Sequence, residues 1–347
     1  MLDRFPSRCK ESLKFFQLPT NPKRKSAISF YLLVPLLVAI LSSSNCLAEI
    51  IKSRAAVTID ASNGDILFSK NSTWRLPPAS TTKLMTAIVA IENQDLSKVV
   101  TISKKTSRIA RSRAGFKPGD QVTIEGLLYA ALLKSANDAA VALAEAVAGS
   151  EQRFVPMMNE KALAIGAEDT KFINATGLPG PGQYTTALDL SKILGYALQI
   201  PKLKEIIGTP EAKISTERGK VFYLRSTDRL LWRDDKIVGG KTGFTRKAGH
   251  CFVCAAQGKT KTILVAILGS PSRKRLWTET ESLVSRNLQG GAPKSVPLDP
   301  IYLRRLLYED SFSFTSFSPA ESPPCVCLYD PHLDHGLGED LNRCPGS

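Results

Sequence analysis

A hydroxyl and an amine stand three residues apart at Ser80 and Lys83, within Ser80-Thr81-Thr82-Lys83 and directly after Pro77-Pro78-Ala79. If Ser80 opens a helix, the two side chains share one face, a turn apart. A serine hydroxyl is a poor nucleophile until a base takes its proton. A lysine amine that has lost its own proton can be that base. The chain has three histidines, and only His250 falls in the stretch that reads as a folded domain. A Ser-His-Asp arrangement would have to rest on that one imidazole.

Two further segments carry side chains that such a pair needs. Ser135-Ala136-Asn137 offers a hydroxyl and an amide, although the same residues followed by Asp138 also read as a turn with a new helix N-cap. Lys241-Thr242-Gly243 ends a strand-like run after Gly239-Gly240. On a strand Lys241 and Gly243 share a face, and Gly243 leaves room for a substrate to approach the backbone. Its plainer reading is a β-turn with an exposed lysine.

The elements that must position these groups follow from periodicity and turn chemistry. Two short runs, Ala56-Val57-Thr58-Ile59 and Ile66-Leu67-Phe68, flank Asn63-Gly64 and predict a hairpin. Ser80 to Ile91 reads as a buried apolar helix. Thr123 to Gly149 is helical with a break at Ser135–Asp138, and its second part is rich in alanine. Helical patterns recur near Glu151–Ile165 and Thr186–Leu198, separated by the loop Gly177-Leu178-Pro179-Gly180-Pro181-Gly182. Beyond Ile214 strands dominate: Val221–Leu224, Lys236–Thr242, Cys251–Ala256 and Thr262–Leu268. A helix over Arg273–Asn287 closes the pattern. A strand pair, many helices, a run of strands and a last helix predict an α/β (α+β) sandwich. Its antiparallel sheet is covered by helices, unlike a doubly wound parallel sheet.

Composition limits the classes. The 347 residues carry a formal net charge of +14, with 43% hydrophobic and 22% charged residues. That charge suits an anionic wall polymer or membrane surface. The chain shows no zinc-finger or RNA-recognition motif and no interleaving of aromatic with basic residues, which argues against nucleic acid as a partner. Residues 1–48 read as a signal peptide or N-terminal anchor. Lys23-Arg24-Lys25 precede an apolar run from Ile28 to Leu41 and a small-residue site ending at Ala48. The expected location is therefore exported, periplasmic or wall-facing, with that segment as an expected site of membrane attachment if it is retained. Bulky Asn45 argues against lipid attachment at Cys46. Cys251 and Cys254 form a CxxC inside a strand-like run, where they point to opposite faces and read as core residues. The stretch over 289–347 reads as an irregular tail. Its Cys325, Cys327, His332 and His335 could ligate a metal, but the spacing is irregular.

Together, in this order, SxxK, SxN and KTG resemble the penicillin-interacting serine D-Ala-D-Ala peptidases and β-lactamases. PPASTTKLMTA, LLKSANDAAVALAE, FINATGLP with YTTALDLSKI, and GGKTGFTRKAGHC resemble the low-molecular-weight D-alanyl-D-alanine carboxypeptidases. The resemblance covers about Ile50 to Asn287. It implies a DD-peptidase domain over 49–288 of the β-lactamase/DD-peptidase type, with a mainly helical subdomain beside the sheet. It also implies a peptidoglycan stem peptide as substrate, β-lactams as acylating inhibitors, and no metal or organic cofactor.

Carried over to this chain, the resemblance makes Ser80 the nucleophile and Lys83 its base. Ser135 relays a proton to the leaving group, and Asn137 holds the substrate backbone. Lys241 and Thr242 meet the terminal carboxylate, assisted by Arg275, and Gly243 gives close access. The backbone N–H groups of Ser80 and Phe244 form an oxyanion hole. The chain departs from the family at Ser226-Thr227-Asp228-Arg229, where members often carry Asn-Thr-Asn. A serine β-lactamase is the nearest rival, disfavoured by SAN in place of SDN and by the lack of a clear ExxxN element. A non-catalytic penicillin- or wall-binding module is the rival from another class.

Overall fold

The computed structural model describes residues 51–110 and 112–288. The leader read over 1–48, the tail read over 289–347, and the metal-ligand reading of Cys325, Cys327, His332 and His335 lie outside them. Among the described residues no helix is long and apolar enough to cross a membrane.

The hairpin forms as its turn residues dictate. β1 (Ala55–Asp60) and β2 (Ile66–Lys70) pair antiparallel. Gly64 adopts φ +78° in the turn, and Asn63 Oδ1 accepts from the Asp65 N–H at 3.0 Å. Near the other end of the domain, β7 (Ile237–Thr245), β8 (Gly249–Gln257) and β9 (Thr262–Ser270) form a meander. β1 then docks antiparallel on β9, in register from Ala55 against Leu268 to Asp60 against Ile263. The resulting five-stranded sheet runs β2-β1-β9-β8-β7, which leaves β7 at an edge.

Alternation along these strands divides the core in two. Val57, Leu264, Ala266, Cys251 and Val253 face the larger cluster, with the helices of the central segment. Ala56, Val265, Ile267, Phe252 and Cys254 face the smaller one, with Leu276, Trp277, Leu283 and Val284 of the closing helix (Arg273–Leu288). Each large aliphatic side chain buried this way contributes roughly 1.5–3 kcal/mol. Both faces are covered, so β1, β8 and β9 read as continuous apolar runs. Cys251 and Cys254 are buried on opposite faces as free thiols, and burial pushes the Cys251 thiol up to about 11.

On the larger face α1 (Lys83–Asn93) is central, packed by α3 (Ile124–Leu132), α4 (Asn137–Ala148), α5 (Glu151–Ala164) and α6 (Ala187–Gln199). Alanines at 139, 140, 142 and 144 are buried and let α4 approach its neighbours closely. Gly149 ends α4 at φ +74°.

The sequence missed the short elements. α2 (Lys104–Ser107), α7 (Pro201–Ile207), the pair β3 (Val99–Thr101) with β4 (Gln121–Thr123), and β5 (Glu211–Ser215) lack the length for a clear period, whereas β6 (Val221–Arg225), which pairs with β5, matches the strand expected at Val221–Leu224. The helix expected to open at Ser80 opens at Lys83. Residues Ala79–Thr82 form a 3-10 turn first, with the Thr81 hydroxyl donating to the Pro78 carbonyl at 2.7 Å. The expected N-cap at Ser135–Asp138 is also revised. Ala136 holds the cap position without a side-chain bond, because Asn137 and Asp138 use their side chains on another segment.

Candidate active site

Ser80 is presented by a strained turn wedged between two glycines. Ala79, just before it, has φ +50°, a left-handed conformation costly for a residue with a Cβ. A Cβ on Gly243 of β7 would lie 2.9 Å from Ser80 N and 3.1 Å from the Pro78 carbonyl oxygen. The chain's own nucleophile turn therefore fills the space that the sequence reserved there for substrate. On the other side, a Cβ on Gly177 would lie 1.7 Å from the Ala79 carbonyl oxygen.

Gly177 and Gly182 have similar φ, +78° and +80°, but nothing lies within 4 Å of a Cβ at 182. Gly182→Ala should carry the backbone penalty alone, about 1 kcal/mol. Gly177→Ala adds overpacking against the turn, about 2–4 kcal/mol in total. Thermal unfolding of the two variants checks this: the Gly177 change should lower Tm by several degrees more and displace Ser80.

Lys83, the first residue of α1, is fully buried. Its Nζ lies 3.1 Å from Ser80 Oγ and donates to the Thr176 carbonyl at 2.6 Å. Burial holds this amine well below the ordinary lysine range; the charge of Lys241 adds to the effect and Asp138 opposes it. A neutral amine so placed can accept the Ser80 proton, with one of its own N–H groups fixed on Thr176.

Ser135 lies in the α3–α4 connection at φ +59°, which turns its hydroxyl toward β7. Lys241 Nζ donates to Ser135 Oγ at 2.9 Å and to the Thr242 carbonyl at 3.0 Å. Lys241 is 1% exposed, and its pKa is lowered by burial to about 7, against the pull of Asp228. Asn137 Nδ2 donates to the Ala110 carbonyl at 3.0 Å, while its backbone N–H donates to Ser112 O at 2.7 Å. Asp138 accepts from the backbone N–H groups of Ala114, Gly115 and Phe116. The SAN turn is thus clamped to the segment preceding β4, so its polar side chains are not spent on capping.

Thr242 Oγ1 lies 2.6 Å from Thr227 Oγ1. Phe244 is 54% exposed on the β7 edge, stacked on His250 at a centroid distance of 4.3 Å. Arg275 stands apart: among the described residues no hydrogen bond or ion pair ties its guanidinium to these groups. Arg273 is the member of that basic triple whose charge depresses His250, after burial. With Lys274, Arg229 and Arg233 it lines a cleft of about 380 Å³ beside Trp277, and none of the residues above lies in that cleft. Thr176 and Asp228 are the neighbours that sequence reasoning missed. FINATGLP marked the first segment, but only folding brings its carbonyl to Lys83.

A hydroxyl beside a buried amine, with a second buried lysine on another serine hydroxyl, is an arrangement for acyl transfer. The family model for D-alanyl-D-alanine carboxypeptidase, peptidase S11, matches residues 43–272. The chain belongs to the S11 D-alanyl-D-alanine carboxypeptidase family. The S11 chain is 34% identical over 228 residues to the D-alanyl-D-alanine carboxypeptidase DacF of Bacillus subtilis, a match covering 64% of this chain and 59% of that one. It thus spans about three fifths of that relative's length. A crystal structure of D-alanyl-D-alanine carboxypeptidase from Mycobacterium tuberculosis superposes with a TM-score of 0.66 at 30% identity, over 70% of this chain and 93% of that one. The Streptomyces K15 DD-transpeptidase gives 0.66 at 29% identity, over 70% and 98%. These neighbours share the helix-covered antiparallel sheet, so the expected sandwich is the fold of this S11 chain.

Proposed function

We propose that this S11 protein is a serine-type D-Ala-D-Ala carboxypeptidase that removes the terminal D-Ala from peptidoglycan stem pentapeptides. The carrying observation is the 3.1 Å approach of the fully buried Lys83 amine to Ser80 Oγ. Lys83 takes the Ser80 proton as Oγ attacks the penultimate D-Ala carbonyl. The oxyanion is received by the backbone N–H groups of Ser80 and Phe244. Ser135, hydrogen-bonded to Lys241, passes a proton to the departing nitrogen. Asn137 aligns the substrate backbone. Lys241 and Thr242 take the terminal carboxylate, and Gly243 keeps β7 against the nucleophile turn. Arg275 would assist at that carboxylate only on a movement of its side chain, since no hydrogen bond or ion pair among the described residues ties its guanidinium to the site. Water then hydrolyses the acyl-enzyme.

The same Ser80 ester would form with β-lactams. Work on stem peptides places the protein on the wall-facing side of a membrane, and residues 1–48 are the proposed export segment or anchor. Residues 49–288 are the proposed catalytic domain.

Incubating the protein with a D-Ala-D-Ala pentapeptide, with and without an amine acceptor, tests the reading. A labelled penicillin is run in parallel and the labelled peptide mapped. D-Ala release to water, with a long-lived label on Ser80, is expected. Release only with transfer to the amine would make it a transpeptidase. Rapid loss of the label would make it a β-lactamase, and labelling without release a binding module.

A further inference from the structure

The segment between β6 and β7 departs from the family pattern at Asp228, and the structure gives that departure a place in the site. Ser226 N–H donates to the Pro210 carbonyl at 2.8 Å and Thr227 N–H to the Leu133 carbonyl at 3.0 Å, two residues before Ser135. Thr227 Oγ1 meets Thr242 Oγ1 at 2.6 Å. These bonds hold the segment between the Ser135 turn and the KTG strand. Asp228, next in line, is 1% exposed. Its Oδ1 accepts from the Leu230 N–H at 2.9 Å, and Leu230 is itself buried in the smaller core. Its Oδ2 is sealed from solvent with no donor in good hydrogen-bond geometry among the described residues, and the backbone N–H groups of Leu230 and Leu231 favour its charged form against burial.

A carboxylate buried in this way normally has a cation against it. Among the described residues no lysine or arginine forms an ion pair with Asp228, and Arg229 beside it faces the outer cleft. Among the described residues Lys241 is the cation that acts on Asp228, and Asp228 is the carboxylate that opposes the loss of the Lys241 proton. The other titratable groups around Lys241 belong elsewhere. Lys83 on α1 repels it, Asp138 on α4 is taken up by backbone N–H groups, and Cys254 on β8 is a neutral thiol on the far face of the sheet.

We propose that Asp228 is a positioning residue, the buried counter-charge that keeps Lys241 an ammonium under the substrate carboxylate while Lys83 stays a neutral base. The inference rests on the carboxypeptidase reading above. It explains how two buried lysines that repel each other hold opposite protonation states. Lys83 has Asp138, already taken up by three backbone N–H groups, whereas Lys241 is opposed by a buried carboxylate that no ion pair neutralises among the described residues. The linkage has a definite sign. Burial raises Asp228 to about 6 and lowers Lys241 to about 7, so both are charged in the interval between. Above it Lys241 loses its proton and the anion site goes with it. Removing the negative charge moves that loss to lower pH.

The test is Asp228→Asn in the full chain. It keeps the shape and the bond from Leu230 while removing a buried charge, so Tm should hold or rise. Release of D-Ala from a D-Ala-D-Ala peptide, and of D-alaninamide from its C-terminal amide, which lacks the carboxylate, is followed against pH. For the acid peptide the alkaline limb of kcat/KM should move down by about one pH unit, the scale of a nearby opposite charge. Above the limb this is roughly a tenfold rise in KM with kcat little changed. The amide should be indifferent to the substitution. An unmoved limb, or equal losses for acid and amide, overturns the proposal. Lack of D-Ala release by the unsubstituted protein instead overturns the carboxypeptidase reading, before the variant is compared.

Discussion

Ser80→Ala is expected to abolish D-Ala release and penicillin labelling, a fall of about 10⁴-fold or more, because among the described residues Ser80 carries the one hydroxyl hydrogen-bonded to the Lys83 amine. The hydroxyl's one described contact is with Lys83, while the turn is held by the Thr81–Pro78 bond and by close packing on Gly177 and Gly243. The variant should therefore fold normally, with Tm within a degree or two of the parent. Intact mass after incubation with penicillin reads the result directly. An adduct on the variant at the parent's rate would move the nucleophile elsewhere, with Ser135 the next hydroxyl to test.

The second large effect belongs to the base. Lys83→Arg should lower acylation by about 10³-fold, within the range for losing a general base, since a guanidinium stays protonated and offers no lone pair. Lys83→Met separates chemistry from stability. It nearly matches the side chain's length, removes an amine that is costly to bury, and should leave Tm equal or higher while acylation stays lost. For the parent protein the signs of the two lysines predict a bell-shaped pH profile. The acid limb rises as Lys83 loses its proton, below the ordinary lysine range because burial disfavours its charge. The alkaline limb falls as Lys241 loses its charge, from about 7 upward. Stopped-flow acylation at several pH values checks both limbs in parent and variants. A rate that climbs steadily to pH 10 would show that Lys241 is not needed as a cation.

Much of the framework was legible in residue patterns because the signals were local. Asn63-Gly64 announced the hairpin, the apolar runs marked β7 to β9, and strand alternation alone placed Cys251 and Cys254 on opposite faces. The short elements escaped because three to seven residues cannot display a period. Thr176 escaped for a different reason: it contributes a backbone carbonyl, which residue type does not reveal. The SAN turn was read as a cap since Ser, Asn and Asp favour that role in isolation. Folding supplied stronger partners for those side chains in the 110–116 segment and on β7.

The sequence alone determined the chemistry available: a serine with a lysine one turn away, a second serine and lysine in recurring motifs, and too few histidines for another base. It also determined the family, since several spaced motifs agree at once. Tertiary structure decided which groups meet and in what charge state. A pKa depends on burial and on charges distant along the chain, so the depression of Lys83 and the bond from Lys241 to Ser135 exist only after β7 docks beside α1 and α4. Packing decided Gly243 as well. What looked like room for a substrate is room for Ser80 itself.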